Sequence, residues 1–146
     1  MLHRTLRSLM VAVFAIGSLG AFAGAAAADA DPPNWAKKHR QWDDDRDNGG
    51  ISLSESAVDV TEDELVNATF RAYGEILRIK DWHNNGRPAI AKLWVGGSGP
   101  AVFYADGSIT EYNLSYTEGQ TVHLQVCTSD SPNAVCTVKE KHPGRT

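Results

Sequence analysis

The sequence predicts an all-β fold: a small antiparallel β-sandwich of about six to seven strands, stapled by one disulfide and preceded by a polar N-terminal arm. Three observations carry this. Short runs rich in Val, Ile, Tyr and Thr follow one another from about Asn67 onward, separated by Gly-, Asn- and Asp-rich turns. Within those runs apolar and polar residues alternate with a period of two, as in strands buried on one face. Finally, the chain holds only two cysteines, Cys127 and Cys136, behind an export signal that sends them where thiols oxidise.

The signal comes first along the chain. Arg4 and Arg7 precede an uncharged apolar run from Leu9 to Ala28, and small residues at Ala26-Ala27-Ala28 and Ala28-Asp29-Ala30 offer two cleavage points. The run is long enough to serve instead as a retained membrane anchor. Its Gly17, Gly20 and Gly24 and the adjoining cleavage motif favour a signal peptide over residues 1–30 and a secreted protein. From Asp31 onward 12 Lys and Arg stand against 17 Asp and Glu, a net charge of −5 with neutral histidines. That balance argues against nucleic acid as a partner, and signal removal leaves no segment for a membrane.

The rest divides by composition. Residues 31–66 are polar and poor in strand formers, and read as a flexible arm; Thr61 with Glu64 marks a short helix within it. Residues 67–146 read as the β domain. Its candidate strands are Phe70–Lys80, Ala89–Val95, Ala101–Ala105, Ser108–Tyr116, Thr121–Thr128 and Ala134–Lys141. Asn85-Gly86, Asp106-Gly107 and Glu118-Gly119 fall between them, and Asn-Gly and Asp-Gly pairs favour hairpins. Val122, Leu124 and Val126 share one strand parity, so His123, Gln125 and Cys127 take the outer face. Leu77 and Ile79 alternate with Arg78 and Lys80 in the same way.

The chain carries no recognisable catalytic or cofactor motif. Gly96-Gly97-Ser98-Gly99-Pro100 lacks the Lys-Ser or Lys-Thr of a phosphate loop, and the histidines form no HxH or HExxH pair. A zinc site on the two cysteines would have only His123 and His142 to complete it, which favours the disulfide. Asp44 to Glu55 matches a twelve-residue calcium loop at Asp44, Asn48, Gly49, Ile51 and Glu55, but the third position is Arg46, a cation where a ligand oxygen belongs. No metal and no cofactor is therefore expected, with Asp44, Asn48 and Glu55 as a weak calcium candidate.

The aromatic residues of the arm are the better functional signal. Trp35 and Trp42 flank the basic cluster Lys37-Lys38-His39-Arg40 and would share one face of a short helix. Either they cover an edge of the sandwich in the same chain, or Trp35, Trp42, Lys37, Lys38 and Arg40 engage a protein partner, where aromatic and Arg anchors concentrate binding energy.

The Leu114-Ser115-Tyr116-Thr117-Glu118-Gly119 turn leading into Val122 to Cys127, with the closing Cys136, resembles small secreted β proteins of actinobacteria. Within that group the layout of signal, polar arm and compact β domain is similar to the small adaptor subunit of umbrella toxin particles. The resemblance implies a non-catalytic adaptor that links a lectin-bearing, protease-like subunit to the repeat rings of a large toxin polypeptide. It implies a hetero-oligomeric assembly with other secreted proteins. The alternative is a stand-alone ligand-binding or inhibitor protein that presents the disulfide-closed loop Thr128–Val135 to an enzyme.

Overall fold

The structure is a computed structural model that describes residues 34–146. The signal segment expected over residues 1–30 lies outside the described residues. Nine strands follow in order: β1 Trp35–Asp43, β2 Ile51–Asp59, β3 Leu65–Arg71, β4 Ile76–Asp81, β5 Ile90–Val95, β6 Ser98–Tyr104, β7 Ile109–Asn113, β8 Thr121–Cys127 and the two-residue β9 Gly144–Arg145. The protein is all-β and antiparallel with one disulfide, as the sequence predicts. All nine strands belong to one sheet in the order β6-β5-β8-β9-β2-β3-β4-β7, with β1 laid against β2. The sheet curls until its two ends meet. At the meeting point the Phe103 and Tyr112 rings lie 5.0 Å apart, and the Tyr112 hydroxyl donates to the Tyr104 carbonyl at 2.6 Å.

Period-two alternation places the core inside the curl. Ala57 and Leu53 of β2, Val66, Ala68 and Phe70 of β3, and Leu77 and Ile79 of β4 face Ala91 and Leu93 of β5 and Val122, Leu124 and Val126 of β8. Two walls thus pack face to face although one continuous sheet forms both.

The N-terminal third differs from expectation. Residues 34–66 do not form a flexible arm with a short helix: they supply β1, β2 and the start of β3. β1 pairs with β2 along its whole length, from Trp35 opposite Asp59 to Asp43 opposite Ile51. Ser, Ala, Glu and Asp are weak strand formers, which is why ISLSESAVD reads poorly as a strand. Pairing on both sides, to β1 and to β3, overrides that propensity. Once paired, the segment alternates cleanly, with Leu53, Glu55, Ala57 and Asp59 buried between partly exposed Ser54, Ser56 and Val58.

Two further boundaries shift. The run Phe70–Lys80 is a hairpin, broken where Gly74 and Glu75 take positive φ (76° and 50°) and the Glu75 amide donates to the Ala72 carbonyl at 3.0 Å. The run Ala134–Lys141 forms no regular strand. It returns along β8, where the Thr137 amide donates to the Val126 carbonyl at 2.9 Å. Cys127 and Cys136 stand opposite each other in an antiparallel bridge and form the disulfide, with Cα atoms 4.0 Å apart.

Candidate functional site

Two features of the described residues gather chemistry: the outer face of the β1-β2-β3-β4-β7 wall, and a half-buried His-Glu-Glu cluster where β1 and β2 meet the returning tail.

The outer face follows from the registers. Lys38, Ser56, Asn67, Lys80 and Ile109 line up across five strands, and beside them Arg40, Ser54, Thr69, Arg78 and Glu111 form a second row. The middle of the wall carries short polar side chains that hydrogen-bond one another. Asn67 Nδ2 donates to Ser54 Oγ at 2.8 Å, to Ser56 Oγ at 2.9 Å and to the Glu55 carbonyl at 2.9 Å, and Ser54 Oγ lies 3.2 Å from Thr69 Oγ1. Outward positions on these strands carry five cations, Lys38, Arg40, Arg71, Arg78 and Lys80, against one carboxylate, Glu111. Glu111 pairs with Arg78 at 3.4 Å. Two exposed tryptophans belong to the same face: Trp42 opposite Ser52, and Trp82, over whose ring Lys80 sits at 5.2 Å. In a chain of net charge −4 this wall is locally basic.

The sequence-predicted partner residues separate here. Trp35 and Trp42 do not share a face, because a spacing of seven that nearly closes two helical turns puts residues on opposite sides of a strand. Trp35 is 9% exposed and packs in the core, its ring edge-on to His83 at 4.9 Å. Trp42, at 38% exposed, points out with Lys38 and Arg40 at alternate positions of one face. Lys37 is exposed but takes the other parity, opposite Ala57.

The calcium-loop candidate comes apart. Asp44 is buried and committed to Arg46, whose Nε donates at 3.2 Å, and the Arg46 guanidinium holds the Asp44 carboxyl below the usual carboxylate range. Asn48 lies in the exposed turn. Glu55 lies inside β2, 1% exposed, turned to a different set of partners.

Those partners make the second feature. His39 and Glu55 are directly opposed across β1 and β2, and His39 Nδ1 lies 2.5 Å from Glu55 Oε1. The segment after Cys136, whose Thr137 Oγ1 accepts from the Val126 amide at 3.1 Å, brings Glu140 to the same place. His123 of β8 holds this segment by a 3.1 Å contact from Nδ1 to the Glu140 carbonyl. One ligand-type atom from each of His39, Glu55 and Glu140 lies within 4.8 Å of the others. Burial pushes the Glu55 carboxyl above its ordinary range; the Glu140 charge adds to the rise and the His39 hydrogen bond opposes it. No motif spacing reveals this cluster, since its members come from separate strands and a distant tail. The one hint is parity: His39 and Glu55 occupy inward positions of strands that the composition disguises.

The remaining concavities are shallow. A cavity of about 310 Å³ opens at the β5–β6 end, lined by Leu93, Val95, Ala101 and Tyr116 among others. The disulfide-closed loop is tethered at its base, where Asn85 Nδ2 donates to the Thr128 carbonyl at 3.2 Å and Val135 N donates to Thr128 Oγ1 at 3.1 Å. The chain matches no family model, and neither curated proteins nor solved structures include a significant match to it.

Proposed function

We propose that the protein is a secreted, non-catalytic protein-interaction module, an adaptor subunit of a larger extracellular, toxin-type assembly, and that it docks through the outer face of the wall that starts at β1. The observation that supports this reading is the charge and composition of that face: a Ser/Thr/Asn surface ringed by Lys38, Arg40, Arg71, Arg78 and Lys80, with Trp42 and Trp82 as exposed aromatic anchors. A protein that is acidic overall yet concentrates cations on one wall is suited to an acidic protein surface, for which steering comes from charge and affinity from the aromatics. The resemblance to adaptor subunits supplies the kind of assembly. In this reading Lys38, Arg40 and Trp42 make the partner contacts, presented by a strand paired along its whole length, which lowers the ordering cost of docking.

Co-purification from culture supernatant tests the reading. An adaptor travels in a large assembly, and the double variant Lys38→Glu/Arg40→Glu, folded by circular dichroism, elutes near its monomer mass. Retention of the assembly by that variant, or elution of the wild-type protein as a free monomer, overturns it. A free monomer that inhibits an enzyme and loses inhibition on changes in the loop at residues 130–133 would instead support the inhibitor alternative.

A further inference from the structure

We propose that His39, Glu55 and Glu140 form a binding site for a divalent transition-metal ion of the zinc type, which fastens the segment after Cys136 to β1 and β2. This goes beyond the docking reading and does not depend on it.

The geometry is that of a site assembled from three separate pieces of chain. His39 comes from β1, Glu55 from β2 and Glu140 from the returning tail, with a ligand-type atom of each within 4.8 Å of the other two. Imidazole and carboxylate donors suit a small tetrahedral ion, whose ligand bonds of about 2.0 to 2.2 Å set ligand atoms about 3.4 Å apart; His39 Nδ1 and Glu55 Oε1, at 2.5 Å, would move apart to admit it. Calcium fits less well, since it takes six to eight oxygens and no ring nitrogen. Three protein ligands leave one position for water.

One further observation points to a cation here. The Glu55 side chain is 1% exposed and lies beside a second carboxyl group, Glu140. Two adjacent carboxylates of which one is buried are costly unless positive charge accompanies them, and a bound divalent cation supplies it. The placement also has a mechanical consequence. Between the disulfide and β9 the tail is held to β8 by Thr137 and His123, and a metal at Glu140 would add a tie to the opposite side, β1 and β2.

The probe is zinc chloride alone. Purified protein is stripped with a chelator, then titrated by calorimetry and followed by thermal unfolding with and without metal. One-to-one binding and a raised midpoint are expected, with Glu140→Gln and His39→Gln each weakening affinity at least 10-fold and the exposed Glu118→Gln leaving it within 2-fold. Circular dichroism accompanies each variant, and if His39→Gln does not fold, Glu140→Gln decides alone. Absence of binding overturns the proposal. So does binding that either folded ligand variant leaves within 2-fold of wild type, which would place the zinc elsewhere, on His123 or His142.

Discussion

Replacing Trp35 with alanine is expected to destabilise the protein by about 3 kcal/mol, whereas Trp42→Ala should cost less than about 1 kcal/mol. Trp35 is 9% exposed and belongs to the core, packed edge-on against His83. A tryptophan buries about 200 Å², which at about 25 cal/mol per Å² gives an upper bound of about 5 kcal/mol. Its indole nitrogen is buried without a partner, and removing that N–H relieves a penalty of about 1 to 2 kcal/mol. The difference is the expected loss. Trp42 is 38% exposed on the outer face of β1 and leaves no cavity. Urea unfolding followed by far-ultraviolet circular dichroism gives both values, and the slope should stay that of the wild type, since the folded surface changes little. If Trp35→Ala costs less than about 1 kcal/mol, or if the two substitutions cost the same, β1 is not part of the core and the N-terminal segment is the loosely attached arm that its composition suggests. In the binding assay the order should reverse: Trp42→Ala weakens assembly and Trp35→Ala, while folded, does not.

Other perturbations test other parts of the structure. Cys127→Ala/Cys136→Ala removes a staple closing a loop of sequence separation 9, and should lower stability by about 2 to 3 kcal/mol in chemical denaturation; an unchanged midpoint would mean that the β8–tail pairing alone holds the loop. A side chain at Gly144 would bring its Cβ within 2.6 Å of the Ile51 carbonyl and 2.7 Å of Leu53 Cγ, so Gly144→Ala should destabilise by about 1 to 3 kcal/mol and loosen β9, read as faster amide exchange at Arg145. Asp44 is held below its ordinary range by Arg46, so its contribution to stability is present above about pH 4 and is lost as the pH falls through the lowered folded value. The stability gap between wild type and Asp44→Asn should therefore be widest near neutral pH and close in acid; a gap independent of pH would remove the ion pair from the account. Because Asp44 is committed to Arg46 and Glu55 faces away, calcium should give no calorimetric signal that Asp44→Asn alters.

Local chemistry in the sequence determined the β domain's central features. Val122, Leu124 and Val126 alternate strongly enough to fix which face of β8 is buried, Asp106-Gly107 marks the link between β6 and β7, and the two cysteines, nine residues apart, meet in the disulfide. These are signals that lie within a few residues of one another. Tertiary structure alone decided the rest. Ser, Glu and Ala in β2 become a strand only because β1 and β3 supply partners on both sides, and the same pairing turns Trp35 inward and Trp42 outward. The basic outer wall exists only once five strands are in register, and His39, Glu55 and Glu140 meet only when the tail returns along β8. Strand propensity is weak and depends on neighbours, so a sheet's faces and the sites built across its strands are set by long-range register, which a single chain read in order does not display.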